Sequence, residues 1–319
     1  MRPRGTIAIL ESVHPLVADA FREAGYDVKD AVDVSAHAIL TGELKSVHGL
    51  IVRSRFIINA ELLAAMPRLR FIGRSGSGLE NIDLEACAAR NVAVFNSPEG
   101  NSDAVGEHVV GMMLSLLHKL READLSVRSG QWAREAHRGR ELKHQVVGII
   151  GFGHMGRAVA RRLQGFDCRV LAYDKYKTGF DGHLGVEEAS EDQIRAHANL
   201  LTLHIPLTTE TEGMVDYQWL CGFERRPLLL VNAARGPVAS TAGIWQAMQE
   251  AVLEAVALDV LESEGRDLLG VQPSSEPLQR LFAHPRTLFS PHVAGWTVES
   301  HEKLGRVLVD KILAFESTR

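Results

Sequence analysis

Short apolar runs alternate with stretches of helical periodicity along most of the chain, a pattern typical of α/β folds with a largely parallel sheet. In the first hundred residues it predicts strands and helices in turn, with strands at 7–10, 49–52, 70–73 and 92–95 and helices near 14–24, 59–65 and 83–89. From residue 146 onward it predicts six more strands, at 146–150, 168–173, 199–205, 228–232, 255–260 and 286–290. The helices predicted between them lie at 154–165, 187–197, 216–222 and 238–251.

A break at 98–101 precedes one long predicted helix, 102–129, whose apolar stripe is wider than a single domain face needs. We expect this helix to cross between two domains and to offer part of its stripe for self-association. Residues 130–144 are polar and basic with one tryptophan, which indicates an exposed arm, and 296–315 predicts a final amphipathic helix that packs on the first domain. The predicted domains are a discontinuous one at 1–101 plus 296–319, which the motifs below assign to the substrate, and one at 102–295, which they assign to a dinucleotide.

The most informative stretch contains Gly151, Gly153 and Gly156, which stand between an apolar strand and a helix start with the spacing G-x-G-x-x-G. The first glycine lets the strand turn sharply, the second lets backbone approach a pyrophosphate, and the third lets the helix pack closely on the strand. The amide groups and positive dipole end of the helix then face the phosphates. A βαβ turn that binds no ligand is the structural alternative.

Asp174 ends the next predicted strand, 18 residues after Gly156. A carboxylate at this place accepts hydrogen bonds from the adenosine ribose hydroxyls and repels a 2′-phosphate. The glycine turn and this acid together predict NAD as the cofactor rather than NADP.

Composition narrows the remaining function classes. A formal charge of −5 gives no reason to expect nucleic acid or an acidic membrane as a partner, and the most apolar helical run is too short to span a bilayer. The three cysteines form no C-x-x-C pair, which indicates reduced thiols and a cytoplasmic protein. The 14 histidines include no H-x-x-x-H, so we expect no metal site.

Polar groups follow the predicted strands at the edge where a dinucleotide would lie: His204 to Thr211, Asn232 to Arg235, Asp259 with Glu264, and His292. An arginine there can bind a substrate carboxylate, a histidine can exchange the hydroxyl proton, and a carboxylate beside the histidine orients its ring. These features predict a hydride-transfer site. Taken singly, the arginine could be an ion pair, the aspartate a helix cap and the histidine a core residue.

The loop Arg74-Ser75-Gly76-Ser77-Gly78 follows a strand of the first domain, where open α/β sheets place ligands. Its glycines allow consecutive amides to converge on an anion, and a tight loop without a ligand is the alternative.

Five segments carry a family resemblance: GRSGSGLENID at 73–83, NSPEGNS at 96–102, NAARGP at 232–237, LDV at 258–260 and SPHVAGWT at 290–297. On these, the chain resembles the D-isomer-specific 2-hydroxyacid dehydrogenases. The resemblance implies two doubly wound α/β domains, Rossmann-like and flavodoxin-like, with parallel sheets and a cleft between them. It also implies NAD, a small 2-hydroxy or 2-oxo acid substrate, and a homodimer or tetramer.

The same resemblance implies roles for individual residues. The implied catalytic residues are Arg235, Glu264 and His292, with His292 the acid and base paired to Glu264. The implied NAD contacts, together with those read from the fingerprint, are Gly151, Gly153, His154, Met155, Gly156, Asp174, His204, Pro206, Thr211, Ala233, Ala234, Asp259, Ala294 and Gly295. The implied substrate contacts are Arg53, Ser54, Arg74, Ser75, Gly76, Asn101 and Arg134.

Within the family, the branch that oxidises 3-phosphoglycerate, the entry to serine biosynthesis, is the most similar, because Arg53, Arg74 and Arg134 stand where that branch has basic residues. Hydroxypyruvate or glyoxylate reduction is the alternative. An NAD-sensing corepressor-like interaction protein is an alternative of another class, since such proteins share the fold and the motifs.

Two departures from the family pattern stand out. Glu264 is followed by Gly265, where the family usually has proline, and residues 265–275 have the character of an insertion. Glu276, which follows that insertion, is the alternative candidate for the acid paired with His292. We expect Glu264 to be the acid because its five-residue offset from Asp259 matches the family. The sequence also ends after the final predicted helix, so we expect no feedback by serine through a regulatory domain.

Overall fold

The computed structural model describes residues 4–265 and 275–318, which form two compact units. The first unit contains residues 4–101 and 296–318, and the second contains 102–265 and 275–295. Most of the predicted insertion, 266–274, lies outside the described residues.

The first unit is a five-stranded parallel sheet flanked by helices. Its strands are β1 (Thr6–Ile9), β2 (Asp27–Asp30), β3 (Gly49–Val52), β4 (Phe71–Arg74) and β5 (Ala93–Asn96). The helices between them are α1 (Leu16–Glu23), α2 (Ala36–Leu40), α3 (Ala60–Ala64) and α4 (Leu84–Ala89). The strand order β2-β1-β3-β4-β5 reverses direction between β1 and β3, where doubly wound sheets of this order bind ligands.

Two helices follow β5, namely α5 (Pro98–Leu117) and α6 (Leu120–Arg128). The strands of the second unit are β6 (Val146–Ile150), β7 (Arg169–Tyr173), β8 (Glu187–Glu188), β9 (Leu200–Leu203), β10 (Leu228–Asn232), β11 (Leu253–Leu258) and β12 (Thr287–Phe289). Its remaining helices are α7 (His154–Leu163), α8 (Glu191–His197), α9 (Tyr217–Cys221), α10 (Thr241–Gln249) and α11 (Glu276–Ala283), and the chain closes with α12 (Val298–Ser317).

The sheet of the second unit is also fully parallel, in the order β12-β11-β10-β9-β6-β7-β8. The order reverses between β6 and β9, as in dinucleotide-binding sheets. Both faces are covered, so its central strands are largely apolar, and every residue of β9 and β10 is buried. The two parallel-sheet units confirm the predicted fold class.

Helix α12 belongs to the first unit. Its apolar residues Leu308, Val309 and Ile312 pack in one core with Ile7 and Phe21. Near its end, the Glu316 side chain is 5% exposed and accepts hydrogen bonds from Arg70, at 2.7 Å, and from the Tyr26 hydroxyl, at 2.8 Å. Burial and this carboxylate raise the pKa of Tyr26, which therefore stays a hydrogen-bond donor.

The prediction of one helix over 102–129 is wrong, because the helix ends at Leu117 and a second begins at Leu120. The carbonyl of Leu117 accepts the amide of Arg140, at 3.0 Å, so it is not available to continue the helix. Lys119 adopts a left-handed conformation with φ of 51° and turns the chain.

The predicted break at 98–101 is also wrong, because α5 begins at Pro98. Proline suits the first turn of a helix, where its missing amide would have no partner. Gly100 is needed there, since a Cβ would lie 2.6 Å from the backbone nitrogen of Leu304.

Several short elements differ from the prediction or were absent from it. Residues 187 and 188, predicted as helix, form β8, and α8 starts after Ser190, whose side chain makes a capping box with Gln193. The sheet therefore has seven strands rather than six. The pattern did not predict β2, α2 and α11. Among the described residues, no helix combines the length and apolar character that crossing a bilayer requires.

Candidate functional site

The glycine turn after β6 leaves an open cradle at the start of α7. Gly151 has φ of +95°, and a Cβ there would lie 2.5 Å from the carbonyl oxygen of His204. Gly156 packs directly on the carbonyl of Gly151. A Cβ at Gly153, by contrast, would meet only the Lys177 ammonium, at 3.7 Å, so the space above this residue is open.

Helix α7 has no acidic residue in its first turn and no side-chain cap at Gly153. The amides of its first turn, at His154 and Met155, therefore face the open space with the positive end of the helix dipole. A cradle of this kind fits the diphosphate of a dinucleotide.

The Asp174 carboxylate joins this turn to the loop after β7. One oxygen accepts the amide of Phe152, at 2.8 Å, and the other accepts the amides of Tyr176 and Lys177, at 3.0 Å each. We predicted Asp174 as a ribose ligand from its position; the structure shows that it also organises the backbone of the cradle. Its contact with ribose stays a prediction.

His204 lies at the end of β9, against Gly151. Its Nε2 lies 3.0 Å from the Thr202 hydroxyl, whereas Nδ1 is buried without a partner among the described residues. Burial lowers the pKa of His204 to about 3, so the ring is neutral near pH 7. A buried ring nitrogen without a partner is costly unless a ligand satisfies it, which fits the predicted cofactor contact.

The next predicted contacts lie in the loop after His204. The Thr211 hydroxyl donates to the carbonyl of Pro206, at 2.6 Å, and accepts the amide of Thr208, at 2.8 Å. The Thr211 side chain therefore closes this loop, and contact with NAD by Pro206 or Thr211 stays a prediction.

The turn after β10 presents Arg235. The buried Asn232 side chain accepts the amide of Ala234, at 3.0 Å, and donates to the carbonyl of Arg235, at 3.1 Å. Gly236 allows the turn to rest directly on the carbonyl of Leu261, where any side chain would clash. Ala234 is buried beneath the turn, and Ala233 is half-buried.

His292 and Glu264 form a hydrogen-bonded pair in the second unit. Nδ1 of His292 lies 3.0 Å from Oε1 of Glu264, and the side chains are 27% and 16% exposed. Nε2 is therefore the ring nitrogen left to exchange a proton with a substrate. The rival Glu276 lies on α11, where it is 76% exposed and pairs with Arg280 at 3.2 Å.

The buried carboxylate of Asp259 holds the loop that carries His292. It accepts the Ser290 hydroxyl at 2.5 Å and the amides of Val293 and Ala294 at 2.9 Å each. The Asp259 carbonyl accepts the amide of His292, at 2.7 Å. These bonds stabilise His292 at φ of +54°, a conformation that a residue other than glycine adopts only under constraint.

His108 of α5 adds a contact that the sequence gave no reason to expect. Its Nε2 lies 3.0 Å from the Ser290 hydroxyl and 3.6 Å from the Asp259 carboxylate. Ala294 is buried beside this cluster and Gly295 follows it in the same loop.

In the first unit, Arg53 and Ser54 follow β3 in a loop that is held by Glu11. The Glu11 carboxylate accepts the amides of Arg53, Ser54 and Arg55 at 2.7–3.0 Å. The Arg53 guanidinium stacks over the Trp296 ring at 4.3 Å, and its burial lowers the pKa of Arg53. Sequence reasoning missed Glu11, which no local pattern distinguishes from a solvated acid.

The remaining candidates of the first unit follow β4 and β5. A Cβ at Gly76 would overlap the Arg74 guanidinium, so this glycine is required for the position of that side chain. The amides of Ser75 and Gly76 donate to the Val52 carbonyl, at 2.9 Å, and to the Ser97 hydroxyl, at 3.2 Å. Anion binding by these amides stays a prediction.

Two further candidates complete the set. Asn101 accepts the Ser77 hydroxyl at 2.7 Å, which leaves the Asn101 amide nitrogen for other contacts. Arg134 is exposed in the segment between α6 and β6 and lies in the second unit, apart in the chain from the other predicted substrate contacts. Among the residues that the structure describes, no group of three or more His, Cys, Asp or Glu side chains could hold a metal ion.

Comparison with known proteins identifies the family. The family model for "D-isomer specific 2-hydroxyacid dehydrogenase, NAD binding domain" matches residues 110–294. A D-3-phosphoglycerate dehydrogenase of Archaeoglobus fulgidus is 31% identical over 311 residues, which cover 96% of this chain and 56% of that protein. The chain spans about half the length of the curated relatives it matches.

Solved structures agree with this family. A D-lactate dehydrogenase from Aquifex aeolicus, in complex with NAD and lactic acid, superposes with a TM-score of 0.83 at 25% identity and covers 98% of this chain and 96% of its own. A glyoxylate reductase from Paecilomyes thermophila shares the fold with a TM-score of 0.83 at 20% identity, covering 98% and 95%.

Replacing His204 with glutamine should reduce the loss of stability in acid. The unfolded histidine takes up a proton near pH 6.5 and the folded one only near pH 3, so stability is complete above pH 6.5 and falls as the pH drops towards 3. Between pH 7 and pH 5 we expect the wild type to lose about 1–2 kcal/mol more unfolding free energy than His204→Gln. Urea titrations at both pH values measure the difference, and equal losses would contradict the neutral buried state of His204.

Proposed function

The chain belongs to the D-isomer specific 2-hydroxyacid dehydrogenase family, and we propose that it transfers a hydride between C2 of a D-2-hydroxy acid and NAD. The observation that carries this proposal is the His292–Glu264 pair, 3.0 Å apart, on the loops after β11 and β12 of the NAD-binding unit. An oriented imidazole of this kind is the group that such a reaction needs for its proton.

When NAD is bound, its nicotinamide accepts or supplies the hydride at C2. His292 holds the proton at Nε2 and gives it to the forming hydroxyl, or takes it in the opposite direction. Glu264 accepts the Nδ1–H bond, which fixes the ring orientation and favours the imidazolium. Arg235 binds the substrate carboxylate or polarises its carbonyl, and the Asn232 contacts hold the turn that presents it.

We propose that the cofactor lies along the strand ends of the second unit. The amides at His154 and Met155 would bind the diphosphate, with Gly151, Gly153 and Gly156 providing the close approach. The other proposed contacts are Asp174, His204, Pro206, Thr211, Ala233, Ala234, Asp259, Ala294 and Gly295. The open space above Gly153 and the unpaired Nδ1 of His204 support this assignment.

The substrate that we propose is 3-phosphoglycerate, oxidised to 3-phosphohydroxypyruvate at the entry to serine biosynthesis. The names of the curated relatives support it, as do the basic side chains of Arg53 and Arg74 in the first unit and of Arg134 in the second. Ser54, Ser75, Gly76 and Asn101 are the other proposed substrate contacts. The solved neighbours, which include a lactate dehydrogenase and a glyoxylate reductase, keep reduction of glyoxylate or hydroxypyruvate as the alternative.

A substrate panel tests the function. Purified protein with NADH should reduce 3-phosphohydroxypyruvate with a kcat/KM at least about tenfold above that for hydroxypyruvate, glyoxylate or pyruvate, because a phosphate bound by arginines adds charge-assisted hydrogen bonds. The decrease in NADH absorbance measures the rate.

A preference for glyoxylate or hydroxypyruvate would contradict the phosphate assignment and favour the reductase. Tight NADH binding without turnover of any 2-oxo acid would contradict the enzyme and favour an NAD-sensing interaction protein.

Replacing Glu264 with glutamine should shift the pH–rate profile of 2-oxo acid reduction to lower pH. Without the carboxylate the imidazolium of His292 loses the partner of its Nδ1–H and is less stable, so the acid form is harder to supply near neutral pH. We expect turnover at pH 7.5 to fall about 10- to 100-fold, with NADH binding retained. Rates measured from pH 5 to 9 locate the pH at which turnover falls.

Glu276→Gln is the matched control, because it removes the same charge from the exposed pair with Arg280. Its profile should equal that of the wild type. A collapse in Glu276→Gln with an unchanged Glu264→Gln profile would transfer the role to Glu276.

We propose that the chain forms a homodimer through α6 and the segment that follows it. Leu120, Leu125 and Val127 of α6 are each more than half exposed, and Trp132 is 79% exposed. We expect sedimentation equilibrium to give about twice the mass of the 35.0 kDa chain, and Leu125→Asp to weaken association. A monomer at micromolar concentration would contradict this interface. We further propose a cytoplasmic location, which the three free cysteines support.

A further inference from the structure

The loop after β7 carries two lysines with different surroundings. The Lys175 ammonium pairs with Glu210 at 2.8 Å, and the Tyr176 hydroxyl donates to the same carboxylate at 2.7 Å. Lys175 and Glu210 therefore neutralise each other. The Lys177 ammonium has no acceptor of this kind among the described residues and lies 3.7 Å from the place that a Cβ on Gly153 would occupy.

The backbone fixes Lys177 at this place. Asp174 accepts the Lys177 amide at 3.0 Å and the Phe152 amide at 2.8 Å, so one carboxylate sets both the loop and the glycine turn. Two acids further along the chain accept backbone amides, Asp181 from Glu188 at 2.9 Å and Glu188 from Phe180 at 2.7 Å, and among the described residues neither forms an ion pair with Lys177. The ammonium is thus directed towards the open cradle rather than into an ion pair.

We propose that Lys177 is a cofactor-binding residue that donates to the diphosphate of the dinucleotide above Gly153. The amides at the start of α7 provide partial positive charge, and Lys177 adds a full charge beside the same open space. The inference rests on the NAD assignment within the proposed function, and not on the identity of the 2-hydroxy acid.

Lys177 lies between Asp174 and the glycine turn, so the alternative target of its ammonium is the 2′-phosphate of NADP. The Asp174 carboxylate lies beside the expected ribose and repels such a phosphate, which favours the diphosphate, a group that NADH and NADPH share. Binding of smaller fragments separates the two targets: adenosine has neither phosphate group, and ADP has only the diphosphate.

The experiment is equilibrium binding to Lys177→Ala, by fluorescence of NADH and of NADPH and by calorimetry with ADP and adenosine. We expect the Kd for NADH and for ADP to rise about five- to tenfold, the effect of losing one charge-assisted hydrogen bond at an exposed site, while the Kd for adenosine is unchanged. The NADH affinity of the variant should also depend less on salt.

Lys175→Ala is the matched control, since it removes the same charge from a lysine that lies two residues before Lys177 and is already paired with Glu210. Its Kd for NADH should stay within about twofold of the wild type, and Lys177→Arg should restore most of the affinity. Thermal melts of both alanine variants establish that they are folded.

An unchanged NADH affinity in folded Lys177→Ala would overturn the inference and leave the proposed function intact. Weakened binding of NADPH alone would overturn it in favour of the 2′-phosphate. Failure of the wild type to bind NADH or ADP at all would overturn the dinucleotide assignment, and with it both proposals.

Discussion

The geometry around His292 depends on one buried carboxylate, that of Asp259. The two carboxylate oxygens and the main-chain carbonyl of Asp259 accept four hydrogen bonds from the loop 290–294. The donors are the Ser290 hydroxyl and the amides of His292, Val293 and Ala294. These bonds stabilise His292 at φ of +54°, and in that conformation its ring lies 3.0 Å from Glu264. The proposed proton-transfer group is thus positioned by hydrogen bonds of its main chain to Asp259 and by the bond of its ring to Glu264.

Carboxylates also bind loop amides at the ends of two other strands. Glu11 accepts three successive amides after β3, and Asp174 accepts amides from both the glycine turn and its own loop. Loops beyond parallel strands have amides that no ladder satisfies, and an ionised carboxylate can accept several of them at once. Each acid thereby fixes the backbone beside a proposed ligand contact, namely Arg53, the cradle at Gly153, or His292.

Local sequence was sufficient to predict those parts of the candidate site that consist of consecutive residues. The glycine turn, the Asn232–Gly236 turn and the segment around His292 were recognisable because their backbone conformations demand particular residue types. The offset between Asp259 and Glu264 also favoured the acid that lies 3.0 Å from His292. The predictions that were wrong depend on contacts between residues distant in sequence. Helix α5 ends at Leu117 because the Leu117 carbonyl binds the amide of Arg140. The two polar residues of β8 form a strand only by pairing with β7. His108 gave no signal, since its partners Ser290 and Asp259 lie more than 150 residues away.

The contact at Gly236 links two of the proposed catalytic groups mechanically. The turn that presents Arg235 packs directly on the main chain of Leu261, three residues before Glu264, so the two segments constrain each other. Arg235, Glu264 and, through its hydrogen bond, His292 therefore form one stiff template. In the proposed roles, these residues would hold the carboxylate and the reacting carbon that 2-hydroxy acids share. On this proposal, a change of substrate preference would arise in residues outside this template, which can vary while the reaction chemistry stays fixed.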